Sequence, residues 1–240
     1  MSWNGKDGSE VGVIERGFET TYDGRRIPGV YWSPEGGPGD RLVLLGHGGT
    51  THKKAEYIEQ IAHALCKRGG AAMAIDGPGH GDRATSETAA TDSHTIEAFD
   101  ELWNGNGGTE SIVADWTAAL DFIESEDGAR PTGWWGLSMG TMMGLPLAVA
   151  QDRVRVAVLG LMGNWGPNGD DVMRVAPDLL CPVRFLMQWD DELVPREAAL
   201  ELFGALGTNK KTMHANPGGH AEVPFFEVAA SLEYLDRYLV

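Results

Sequence analysis

Trp134-Trp135-Gly136-Leu137-Ser138-Met139-Gly140 is the stretch on which the reading of this chain turns. An apolar, aromatic pair leads into a G-x-S-x-G pattern, and a helix-like run follows at 141–149. A serine on a sharp strand-to-helix turn projects its hydroxyl above a sheet, where it can act as a nucleophile. Small flanking residues let strand and helix approach each other without colliding. The amide after the serine, that of Met139, then lies at a helix N-terminus, where developing negative charge is favoured. In a chain with 33 glycines among 240 residues, five residues alone say little. Their setting between a strand-like and a helix-like run, and two further segments downstream, give them meaning.

Working outward, 132–137 reads as the strand before the turn. Beyond it, 154–159 and 183–188 are strand-like, 196–206 helical, 211–215 a short strand and 223–239 a C-terminal helix. Upstream, 42–45 and 71–75 are short apolar runs of the kind that form buried parallel strands. Between them, 53–68 places Ile58, Ile61, Ala62 and Leu65 on one helical face, stopped by Gly69-Gly70. The run 109–125 is an amphipathic helix with Ile112, Trp116, Leu120 and Ile123 on one side. Nearer the N-terminus, 11–21 and 27–32 flank Asp23-Gly24, a hairpin signal. Alternating strands and helices predict one α/β domain over 1–240, with a mainly parallel sheet and helices on both faces. The polar stretch 82–108 is longer than an ordinary connection, and such loops tend to carry function.

The turn at Ser138 calls for an acid and then a histidine further along the chain. Asp190-Asp191-Glu192-Leu193-Val194-Pro195 follows the strand at 183–188, and Gly218-Gly219-His220 lies in a glycine-rich loop after the last strand. An imidazole has to reach the serine hydroxyl, and a carboxylate has to hold the other ring nitrogen in the right tautomer.

With Gly46-His47-Gly48-Gly49 and Asp76-Gly77-Pro78-Gly79-His80-Gly81 after the two early strands, the chain resembles the α/β-hydrolase family over nearly its whole length. Within it, the likeness is to compact serine esterases near dienelactone hydrolases and prolyl-oligopeptidase catalytic domains. Dienelactone hydrolases proper carry cysteine where this chain has Ser138. The resemblance implies Ser138 as nucleophile, Asp191 as triad acid and His220 as general base. The family's x-x-Val-Pro segment after the acid selects Asp191 over Asp190. It also implies the backbone amides of Met139 and Gly49 as the oxyanion hole, with Thr50 as runner-up to Gly49. Many relatives insert a helical cap after the strand that follows the elbow helix. The connection 162–181 is short and rich in Gly, Asn, Asp and Pro, so no full cap is expected, and any cover would come from 82–108. Trp103, Met142 and Trp165, with Met162, are the candidates for an apolar substrate pocket.

Other features narrow the function. Net charge is −16, which disfavours nucleic acid and anionic membranes as partners. Cys66 and Cys181 form no C-x-x-C pattern and read as free thiols, consistent with a cytoplasmic setting. Neither a signal peptide nor a membrane span is read from the sequence. His47 is expected to hold the oxyanion loop and His80 to pack. His52 and His63 read as helix surface or cap, His214 as a core or edge position, and His94 as part of the long polar loop, with a substrate contact the lesser reading. No pair has zinc-helix spacing, so neither metal nor cofactor is expected. A homodimer is compatible with the sequence.

The expected activity is hydrolysis of small carboxylic esters through an acyl-enzyme. The same three residues would also serve a lactonase, thioesterase, peptidase or carbon–carbon hydrolase, and a non-catalytic binding scaffold is the alternative from another class.

Overall fold

The structure is a computed structural model, and it describes residues 2–85 and 96–239. Its strands are β1 (Ser2–Glu10), β2 (Val13–Tyr22), β3 (Arg25–Pro34), β4 (Leu42–Gly46), β5 (Ala71–Ile75), β6 (Thr132–Gly136), β7 (Val154–Gly160), β8 (Val183–Gln188) and β9 (Lys211–Asn216). They form one nine-stranded sheet in the order β1-β2-β3-β5-β4-β6-β7-β8-β9. The first three pair antiparallel, β3 joins β5 antiparallel, and the six from β5 to β9 run parallel.

The helices are α1 (Glu56–Lys67), α2 (Ile96–Gly105), α3 (Gly108–Asp127), α4 (Met139–Ala150), α5 (Gly169–Val175), α6 (Arg196–Ala205) and α7 (Phe225–Tyr238). Alternate strand residues feed two cores, as a sheet covered on both faces requires. Leu42, Leu44, Trp134 and Phe185 pack with residues of α3, α4, α5 and α6. Val43, Leu45, Trp135 and Leu186 pack with residues of α1 and α7. In α1, Ile58, Ile61, Ala62, Leu65 and Cys66 are buried, Glu56 and Glu59 lie in the first turn, and Lys67 lies in the last. That charge order complements the helix dipole. Gly69, at φ +84°, closes the helix, with Gly70 N–H donating back to the Leu65 carbonyl.

The expected hairpin is present, with Asp23 and Gly24 both at positive φ between β2 and β3. Two segments depart from expectation. The polar N-terminus forms β1, paired with β2 and bulged between Asn4 and Gly8. Strand pairing there is set by an open neighbouring edge instead of by alternation of its own residues. The stretch 82–108 is no unbroken loop: the 3-10 turn Gly81–Arg83 runs into its start, it contains all of α2, and α3 begins at Gly108. The connection 162–181 holds only α5 and a 3-10 turn at Ala176–Asp178, so no cap domain is inserted there.

The strand order turns at β4, with β5 on one side and β6 on the other. Loops leaving β4 and β6 therefore meet above the carboxyl ends of the strands, the usual place for a ligand in such sheets.

Candidate active site

Ser138 has φ +57° and ψ −121°, a backbone state that costs a non-glycine residue about 1–3 kcal/mol. The surroundings hold it there. Its N–H donates to the Gly160 carbonyl at 2.9 Å, and its own carbonyl accepts from Thr141 and Met142 as α4 starts. The Thr141 hydroxyl, fully buried, accepts from Gly160 N–H at 2.8 Å and lies 2.7 Å from the Gly160 carbonyl. A Cβ on Gly140 would stand 2.6 Å from the Gly46 carbonyl oxygen, and one on Gly136 3.0 Å from Gly140 Cα. The G-x-S-x-G pattern is thus the condition for β4, β6 and α4 to meet. Pro146 interrupts the hydrogen-bond ladder of α4, and the carbonyl it leaves free, Met142, accepts from the buried Asn168 amide at 3.2 Å.

The structure brings the three distant side chains together. His220 Nε2 is 3.0 Å from Ser138 Oγ, and His220 Nδ1 is 2.8 Å from Asp191 Oδ2. The second Asp191 oxygen accepts from the amides of Leu193 and Val194, both at 2.9 Å. Partial burial pushes the Asp191 carboxyl up, but the hydrogen bonds from His220, Val194 and Leu193 outweigh it and hold it below its ordinary value. An ionised carboxylate only accepts, so Nδ1 carries the proton and Nε2 presents its lone pair to the Ser138 hydroxyl. Asp190 does not face the ring; its carboxylate lies 3.4 Å from Gly218 N.

Met139 is the first residue of α4, so its amide has no partner within the helix. The Gly48 carbonyl is held by His47 Nδ1 at 2.8 Å and by the amide and hydroxyl of Thr51, both at 3.2 Å. Across a trans peptide this turns Gly49 N–H the other way. Thr50 is an exposed turn residue. His47 is fully buried, and its Nε2 accepts from Gly77 N–H at 2.8 Å. Burial pushes this imidazole down to about 4, so it is neutral and joins the loop after β4 to the loop after β5, as a loop-holding histidine would. His80 packs between the same loops, 2.5 Å from the Gly49 carbonyl and 2.7 Å from that of Pro78.

One supporting group had no signal in the sequence. Lys53 is buried, with Nζ 2.5 Å from Asp76 and 2.6 Å from Asp82, while Asp76 also accepts from the amides of Lys53 and Asp82. The contact joins residues far apart in the chain and follows no local pattern. His94 lies outside the described residues. His214 sits on the edge strand β9, 2.9 Å from Arg184.

The pocket candidates need correction. Trp103, 2 % exposed, stacks on Phe99 in the core, and Met142, 4 % exposed, faces the same core from α4. Both are core residues with almost no exposed surface. Met162 is equally buried, whereas Trp165 is 42 % exposed in the loop after β7. Phe99 approaches the loop after β4, since a Cβ on Gly49 would stand 3.1 Å from its ring. A cleft of about 280 Å³ beside the antiparallel strands is lined by charged residues including Glu15, Arg26 and Lys53, and by none of the three converging side chains. Among the described residues, no group of three or more His, Cys, Asp or Glu is placed to hold a metal ion, and no helix is long and apolar enough to cross a membrane.

The sequence pattern described as "Alpha/beta hydrolase family" matches residues 42–237. A solved structure of a cold-adapted esterase from an Arctic intertidal metagenomic library is 59 % identical, with a TM-score of 0.93 and full coverage of both chains. An acetyl xylan esterase from Paenibacillus sp. R4 is 20 % identical with a TM-score of 0.78, covering 99 % of this chain and 88 % of its own. A dienelactone hydrolase from Anabaena variabilis ATCC 29413 is 19 % identical with a TM-score of 0.70, covering 95 % of this chain and all of its own. These last two likenesses are of fold alone. No curated protein sequence matches the chain.

Proposed function

The chain belongs to the α/β-hydrolase family, and on that premise we propose that it is a serine esterase acting on small carboxylic esters through an acyl-enzyme. One observation carries the reading: a continuous line of contacts from Asp191 through His220 to Ser138, at 2.8 and 3.0 Å. The esterase described for the 59 % identical relative supports the choice of bond.

In this reading His220 Nε2 takes the Ser138 proton as Oγ attacks the ester carbonyl. The developing oxyanion is met by the amides of Met139 and Gly49, each donor being worth ~10²–10³ in rate. Asp191 stabilises the imidazolium without taking its proton. His220 then protonates the departing alcohol, and water repeats the sequence on the acyl-enzyme. Trp165 is the remaining apolar candidate for contact with the substrate. Cys66 and Cys181, both unbridged and pushed up to about 12 by burial, fit a cytoplasmic setting.

The test is covalent labelling with a fluorophosphonate probe, followed by a panel of esters, lactones and thioesters. Labelling at Ser138 with preference for short esters is the expected result. Absence of labelling would instead favour the scaffold reading.

A further inference from the structure

The loop carrying His220 is fastened to the end of β8 at several backbone positions. Trp189 N–H donates to the Asn216 carbonyl at 2.7 Å, and Asp190 N–H to that of Gly218 at 3.1 Å. Gln188, 1 % exposed, donates to the carbonyls of Glu222 at 2.8 Å and Pro217 at 3.4 Å. In the opposite sense, three successive amides of the loop face three carboxylates. Gly218 N is 3.4 Å from Asp190 Oδ2, Gly219 N–H donates to Glu222 Oε2 at 2.8 Å, and His220 N–H donates to Glu192 Oε2 at 2.9 Å. The glycines make the room: a Cβ on Gly218 would stand 2.7 Å from Glu222 Oε2, and one on Gly219 2.7 Å from Glu192 Oε2.

Glu192 is the member of this set that grips the histidine's own backbone. Its carboxyl is held below the ordinary range, first of all by the hydrogen bond from His220 N–H. Two adjacent residues thus secure the histidine from two sides, Asp191 holding its ring at Nδ1 and Glu192 holding its main chain. With both ends fixed, rotation about the side-chain bonds is restricted and Nε2 stays directed at Ser138 Oγ. Catalytic geometry of this kind depends on supporting contacts, and small misplacements lower rate steeply.

We propose that Glu192 is a positioning residue for His220. Its carboxylate accepts from the His220 backbone amide and acts through the histidine. The proposal rests on the serine-esterase reading above.

The experiment compares Glu192→Ala, Glu192→Gln and Ser138→Ala with the wild type on p-nitrophenyl acetate, with a thermal melt of each. Glu192→Ala is expected to lower kcat by about tenfold at unchanged KM, with little change in melting temperature, since the residue is exposed. Glu192→Gln keeps an oxygen able to accept from His220 N–H and should recover most of kcat. Wild-type kcat in Glu192→Ala, a loss confined to KM, or no recovery in Glu192→Gln would each overturn the proposal. Ser138→Ala separates the two readings. Activity retained there removes the esterase reading itself; activity lost there but intact in Glu192→Ala removes only the role of Glu192.

Discussion

Asp191 divides its two oxygens, giving Oδ2 to His220 Nδ1 at 2.8 Å and Oδ1 to the amides of Leu193 and Val194. Asp191→Asn keeps the shape but can place an NH₂ group where His220 needs an acceptor, which favours the tautomer protonated at Nε2. The expected loss in kcat is on the order of 10³–10⁴. Asp190→Asn, whose carboxylate faces only Gly218 N, should stay within a few-fold of wild type. Steady-state kinetics on both variants checks the assignment.

Neutral, buried His47 makes stability depend on pH. Its folded value, about 4, lies below the ordinary 6.5, so between these values the unfolded chain binds a proton that the folded chain does not. Stability therefore rises with pH across this window and is lost as pH falls from about 6.5 towards 4, by roughly 3 kcal/mol at most from this group. Urea melts at pH 7 and pH 5 check it, together with an imidazole titration of His47 that should lack a midpoint near 6.5.

Lys53 neutralises the fully buried Asp76. Lys53→Met leaves that carboxylate without its cation, and stability should fall by about 3–5 kcal/mol. A change of under about 1 kcal/mol in the urea-derived free energy would show that this pair contributes little.

Gly140 stands against the Gly46 carbonyl, with 2.6 Å available to a Cβ. Gly140→Ala has to push α4 away from β4, and a loss of about 1–3 kcal/mol is expected. Because Ser138 sits two residues earlier, kcat should fall as well. A thermal melt and an ester assay on the same preparation read both effects.

The elements near the site are largely legible in the residue order alone. Ser138, the Asp190–Asp191 pair and His220 each follow a strand-like run, and local pattern places all three at one end of the sheet. Asp23-Gly24 likewise announces its hairpin, because two positive φ values demand such residues. Strand β1 escapes such a reading because its sequence is polar and glycine-rich and its order comes from pairing with β2. Helix α2 escapes because it is short and sits in a polar stretch, although Phe99 and Trp103 are spaced as one helical face requires. Trp103, in the long polar stretch, and Met142, just after the serine turn, read as pocket walls because an apolar residue can serve a substrate or a core, and sequence does not distinguish the two. The Lys53–Asp76–Asp82 group joins distant loops, and no spacing rule reveals such a contact.

In the proposed mechanism Ser138 Oγ, activated by His220, forms the acyl-enzyme. Rapid mixing of the wild type with p-nitrophenyl acetate should give a burst approaching one nitrophenol per chain, and Ser138→Ala should show no burst and a turnover lower by at least ~10³. A folded Ser138→Ala protein that turns the ester over at the wild-type rate would rule out Ser138 as the nucleophile.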